Sequence, residues 1–233
     1  VAHLGLYIKE ERSRQEMKKR KRLITGAALL VICLAAVVLP TYSWLSSKSE
    51  TVVNKFAGGT ISIAMDEAKV DADGKKIEGE DAQRVTSNSY KYTAGAVLDK
   101  DPTPTVIKGS DECYVFVCVE NQLSDKFSIN YDADSWKSVA TQGDKTVYAY
   151  VKKVAAKEAE KDITLPPVFT QVKVSENLTS EDIENLGEKN LNVTAYALQT
   201  ASLDSKEAID IAVKAFLGED AKADRHITIE EAQ

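Results

Sequence analysis

The chain reads as mainly β: an antiparallel β-sandwich with two short helices in its C-terminal third, preceded by an N-terminal signal helix. Three features carry that expectation. About eight segments alternate apolar and polar side chains with period two, separated by Gly, Pro and Asp turns. The regular βαβ alternation of a parallel sheet is missing. One apolar stretch stands alone near the N-terminus, behind a basic cluster.

That stretch comes first in chain order. Lys18, Lys19, Arg20, Lys21 and Arg22 precede an unbroken apolar run from Leu23 to Leu39, followed by Pro40, Thr41, Tyr42 and Ser43. A positive segment, an apolar segment and a small residue before polar sequence describe a secretory signal peptide over 17–43. The exported protein then starts behind Ser43, at Trp44. The run is close to the roughly 20 residues that span a bilayer, so an uncleaved membrane anchor is the competing reading. Pro40 favours cleavage, because it ends the helix before an extended segment that a peptidase can bind. Thr41 stands where a smaller residue is usual. Under either reading the basic cluster stays cytoplasmic and the bulk of the chain is exported. Residues 1–16 read as upstream sequence or a disordered tail.

Residues 44–218 are expected to form one sandwich domain, and 219–233 an acidic flexible tail. Asn54 to Met65 alternates Ile61, Ile63 and Met65 with small or polar neighbours, the pattern of a strand. Asp66 to Gln83 is acidic and Gly-bearing, a surface loop. Lys100 to Ile107 is a strand whose prolines suggest a sheet edge. Glu112 to Asn121 is the most apolar strand, buried on both faces. Phe127 to Tyr131 and Thr146 to Val151 alternate again. Lys152 to Asp162 is a helical turn or a long hairpin loop. Ile163 to Val174 and Leu191 to Leu198 complete the strands. The helices are Thr179 to Gly187, with an N-cap Thr and a closing Gly, and Asp204 to Gly218, which opens with a capping box. Ile209, Ala212, Val213 and Phe216 form its apolar stripe. Pattern alone leaves jelly-roll and immunoglobulin-type connectivity open.

Charge excludes some functions. The whole chain has 30 Lys+Arg and 36 Asp+Glu; 8 and 3 of these lie at or before Ser43, leaving 22 and 33, a net of −11 for the exported part. An acidic surface without a basic stripe argues against nucleic acid and anionic membranes as partners. Only two histidines occur, His3 and His226, so His-based zinc, Ser-His or Cys-His catalysis lacks its parts and no enzyme is expected. Cys113 and Cys118 are five positions apart. In one strand that sends them to opposite faces, about 16–17 Å apart, beyond the roughly 7 Å a disulfide allows. They should be buried free thiols.

No cofactor is required by these residues. The best ion-binding segment is Asp71-Ala-Asp73-Gly74, where alternating acids before a Gly resemble part of a calcium loop. A solvated acidic turn is the plainer reading. Tyr90, Tyr92, Tyr148 and Tyr150 admit a carbohydrate platform, with cross-strand packing favoured.

Several segments, in order, resemble one family. Pro40-Thr-Tyr-Ser-Trp-Leu-Ser46 behind a basic leader precedes Asn54-Lys-Phe-Ala-Gly-Gly-Thr-Ile-Ser-Ile63. Leu98-Asp-Lys-Asp-Pro-Thr-Pro-Thr-Val106, Gly109-Ser-Asp-Glu-Cys-Tyr-Val115, Leu165-Pro-Pro-Val-Phe169 and Val193-Thr-Ala-Tyr-Ala-Leu-Gln199 follow. Together they resemble the TasA/camelysin family of proteins with SipW-type signal peptides. The resemblance implies a jelly-roll subunit of extracellular biofilm-matrix fibres, secreted to the matrix or cell surface. It implies a dedicated SipW-type signal peptidase cutting between Ser43 and Trp44. It implies self-association in which the freed N-terminal segment pairs as a strand with the next subunit. On this chain the donor would be 44–56, with Leu45, Val52, Val53 and Phe56 as its apolar side chains. The proteolysis associated with camelysin is not carried over, since no metal-binding His set exists. The alternative function is a monomeric, calcium-dependent cell-surface binding module, membrane-anchored if the leader is uncleaved.

Overall fold

The computed structural model describes residues 43–46, 61–179, 181–182, 189–201 and 203–232. The chain divides into two units, Val1–Tyr42 and Ser43–Gln233. The expected signal helix, most of the donor segment and most of the Thr179–Gly187 helix lie outside the described residues. Within the second unit the strands are β1 Ser43–Ser46, β2 Ile63–Ala68, β3 Arg84–Val85, β4 Ser89–Tyr92, β5 Val97–Asp99, β6 Thr103–Val106 and β7 Cys113–Asn121. They continue as β8 Phe127–Tyr131, β9 Trp136–Gln142, β10 Lys145–Tyr150, β11 Ile163–Thr164, β12 Phe169–Val174 and β13 Lys189–Gln199. An α-helix, α1, spans Ser205–Leu217.

The strands form a six-stranded sheet in the order β4-β1-β13-β7-β10-β9, a four-stranded sheet β11-β6-β2-β3 and a three-stranded sheet β5-β12-β8. The fold is mainly β with antiparallel sheets, as the alternation predicts; the β1–β13 ladder is parallel. From β7 onward the chain passes to the small sheet for β8, back for β9 and β10, away for β11 and β12, and back for β13. That repeated crossing between layers is what a jelly-roll-like sandwich requires.

β7 sits at the centre because both of its faces are apolar. Cys113, Val115, Val117 and Val119 point into the core between the sheets, with Ile63, Met65, Tyr92, Val172 and Leu191. Tyr114, Phe116 and Cys118 point the other way, into a second core roofed by Ile209, Ala212 and Val213 of α1. The two thiols therefore occupy different cores, unbridged, as their odd spacing predicts. Burial pushes the Cys113 thiol up to about 12 and the Cys118 thiol up to about 11. α1 starts as read: the Asp204 carboxylate accepts from the Lys206 and Glu207 amides, and Glu207 accepts from the Asp204 amide. The start of the other helix shows the same reciprocity. The Thr179 hydroxyl accepts from the Asp182 amide, and Asp182 accepts from the Thr179 amide.

Three expectations need correction. Asp66, Glu67 and Ala68 belong to β2 and not to a surface loop, and Glu67 is buried. Acidic composition concealed a strand whose end turns a carboxylate inward. Pro104 lies inside its sheet, between β2 and β11. It is tolerated because β11 is only two residues long, and the Leu165 amide reaches the Pro104 carbonyl. Of the two forms left open for Lys152 to Asp162, the chain takes the loop, with isolated bridges at Lys152 and Val154. Residues 219–232 are not a loose tail. Ala221, Ala223, Ile227 and Ile229 pack on the helix-side core, the Glu230 and Lys153 amides bond across to Val151 and Glu230, and Arg225 forks onto Asp210 of α1. The apolar residues recur at odd positions between polar ones, a period-two signal that the acid count obscured.

Candidate strand-accepting site

β1 is the first element of the β unit, yet it occupies an interior place in the six-stranded sheet. It pairs antiparallel with β4, with Ser43 opposite Tyr92, Trp44 opposite Lys91, Leu45 opposite Tyr90 and Ser46 opposite Ser89. On its other side Leu45 and Ser46 run parallel to Lys189 and Asn190 of β13. The slot is therefore defined by two strands that the chain reaches much later, β4 and the start of β13.

One wall of the slot, β4, is well packed. β4 is Ser-Tyr-Lys-Tyr, and its alternation buries Tyr90 and Tyr92 while Ser89 and Lys91 face out. Tyr92 meets the Phe127 ring edge-on, centroids 5.0 Å apart. The Tyr90 hydroxyl donates to the Asp99 carbonyl at 2.9 Å. The Tyr92 hydroxyl is buried without a hydrogen-bond partner. Tyr148 stacks on Tyr131 at 5.0 Å across the two layers, and Tyr150 faces Trp136 at 5.3 Å on the neighbouring strand. These tyrosines are packing residues, and no exposed aromatic platform is formed by them.

Of the residues read as donor, Leu45 lies in β1, in register with Tyr90 and Lys189. Val52, Val53 and Phe56 lie outside the described residues. Ser43 and Trp44, flanking the expected cut, are the first two residues of β1, and the boundary between the two units falls just before them, at Tyr42. Sequence reasoning singled out residues 44–56 but not the strands that flank their first three residues. The alternation of Ser89 to Tyr92 was available, but four residues are too few to separate a strand from a loop.

The acidic turn is organised by Asp71. The Asp71 carboxylate accepts from the Asp73 amide at 2.9 Å and from the Lys75 amide at 2.8 Å through one oxygen. The Gly74 amide closes on the Asp71 carbonyl. Gly74 has φ +71°, and a Cβ there would sit 2.8 Å from Leu98. Asp71 thus organises a turn that lets the backbone lie against Leu98 and Tyr90. Asp73 stays exposed. Among the described residues no group of three or more His, Cys, Asp or Glu side chains is placed to hold a metal ion.

A denser charged cluster lies beneath the slot. Glu67, Lys100 and Asn88 are buried together below β4, and Arg84 bridges Asp66 and Asp101 at 2.7 and 2.8 Å at the rim. Sequence reading quoted Lys100 and Asp101 as part of a Pro-marked strand and gave them no partner. Comparison with family models, with curated proteins and with solved structures gave no match.

Proposed function

We propose that this chain is an exported structural subunit of extracellular matrix fibres that polymerises by donating its N-terminal strand. The observation that supports this most is the place of β1: the first strand of the β unit fills an interior slot between β4 and β13. Such a strand is exchangeable in principle. If β1 of one subunit enters the slot of the next, the main-chain hydrogen bonds are conserved and only the connectivity changes. Each donor leaves its own slot vacant, so the contact is head-to-tail and does not close.

The leader fits the same scheme. While the preceding apolar segment is attached, the arm is tethered to the bilayer. Cutting between Ser43 and Trp44 frees it. The resemblance to the TasA/camelysin family points the same way, as does the absence of His-based catalytic parts in the sequence. We assign the chain no catalytic role and no obligatory cofactor; its partners are further copies of itself and a SipW-type peptidase.

The test compares protein begun at Trp44 with protein begun at Gly58 by negative-stain microscopy. Filaments are expected from the first and monomers from the second. Adding a synthetic peptide of residues 44–56 to the longer protein should cap slots and shorten the filaments. Monomers from both forms at high concentration would defeat the proposal.

A further inference from the structure

Three side chains that no packing requirement explains meet under β4. Glu67 of β2 is 1% exposed, Lys100 just after β5 is 2% exposed, and Asn88 just before β4 is 9% exposed. Lys100 Nζ lies 2.5 Å from Glu67 Oε2. Asn88 Nδ2 donates to Glu67 Oε1 at 3.0 Å and to the Ala68 carbonyl at 2.8 Å. Asn88 Oδ1 accepts from the Val70 amide at 3.1 Å. One carboxylate thus holds an amine with one oxygen and a carboxamide with the other, away from water.

As a purely structural device this is a poor one. A buried ion pair rarely repays its desolvation, and an apolar pair would pack as well. As a reactive site every group has a use. We propose that Lys100, Asn88 and Glu67 form an intramolecular isopeptide bond, Lys100 Nζ to Asn88 Cγ, with release of ammonia.

The atoms balance as follows. Lys100 gives a proton to Glu67 and becomes a neutral amine. Burial favours that neutral form by lowering the lysine pKa, against the opposing pull of Glu67 and Asp101. The nitrogen lone pair attacks Asn88 Cγ, and the oxygen that gains charge is the one already accepting from the Val70 amide. Glu67 returns its proton to Nδ2, the Cγ–Nδ2 bond breaks, and ammonia leaves. Glu67 then takes the surplus proton from the new amide nitrogen. A charged pair has become a neutral amide beside a neutral acid, and no oxidant or cofactor is needed.

The other charged groups around the site are engaged elsewhere. Asp101 accepts from the Ala68 amide at 2.6 Å and pairs with Arg84. Asp99 accepts from the Lys76 amide at 3.1 Å and from Gln171 at 3.0 Å. Tyr90 donates to the Asp99 carbonyl. The bond would close a covalent loop from Asn88 to Lys100 that contains β4 and β5. β4 is one wall of the strand slot, so the loop would brace that wall; its formation does not depend on the fibre reading.

Intact-mass and tryptic-peptide mass spectrometry of the purified protein, with its N-terminus sequenced from the same sample, test this. The expected mass is about 17 Da below that of the sequence, the loss of one ammonia. The digest should contain Val85–Lys91 joined to Tyr92–Lys108, with no cleavage after Lys100. Glu67→Gln and Lys100→Arg should each restore the full mass. Wild-type protein at full mass, or a 17 Da loss with Lys100 still cleaved, overturns the proposal whether or not the variants fold.

Discussion

Single residues set local stability in ways that opposite chemistry reveals. The Tyr92 hydroxyl is buried and unpartnered, while its ring is well packed against Phe127. Removing an unsatisfied buried hydroxyl removes a desolvation cost, so Tyr92→Phe should stabilise the fold by about 1 kcal/mol in denaturant melts. A lower midpoint would mean that the hydroxyl has a use. Gly74 is the converse case. Its φ of +71° and the 2.8 Å approach to Leu98 leave no room for Cβ, so Gly74→Ala should cost about 2 kcal/mol. Cys113 and Cys118 carry thiols raised by burial to about 12 and about 11, so both stay protonated and inert through pH 9. A thiol reagent at pH 8 should label them only once the protein is unfolded; labelling at native rates would show that the β7 cores open readily.

At the scale of elements, packing outweighs propensity. The Asp204 capping box satisfies two amides at the start of α1, and Asp204→Ala should cost about 1 kcal/mol. Ile209 is fully buried between α1 and the six-stranded sheet, and Ile209→Ala should cost about 3 kcal/mol. Thermal melts of the two variants should keep that order. The reverse order would mean that α1 is held by its own turn and not by the core beneath it. The segment after α1 belongs to the same layer: Ile229 completes the helix-side core, and the Glu230 amide bonds to the Val151 carbonyl. β1 is the opposite kind of element, four residues held by ladders to β4 and β13.

For the whole molecule, charge and connectivity act together. A net of −11 behind Ser43 makes like subunits repel at low salt. Because the Debye length is about 8 Å at 0.15 M, salt should screen that repulsion, and if the chain forms fibres as proposed, the lag before their growth should shorten between ~10 mM and ~150 mM NaCl. Light scattering measures it; a salt-independent lag would place the barrier in release of β1 from its own slot. On the proposed scheme, a subunit closed on its own β1 and one filled by a neighbour would make the same ladder bonds, so the balance between them would rest on concentration and on the freedom of the cut arm.

The sequence by itself determined the strands with clear alternation, the two-faced burial of β7, the opposed cysteines and the capped start of α1. Each is a local pattern that the pleat or the helical turn converts directly into a face. It did not show β9, whose Trp136 and Val139 are buried at a spacing of three, nor the four-residue β4. Only the tertiary structure decided that β4 and β13 flank β1, and that Glu67, Asn88 and Lys100 share one buried site. The three side chains are separated by 12 to 33 positions in the chain, and Leu45 pairs with Tyr90 and Lys189, 45 and 144 positions away. No local period encodes which distant strands will adjoin; that choice is made when the two cores close.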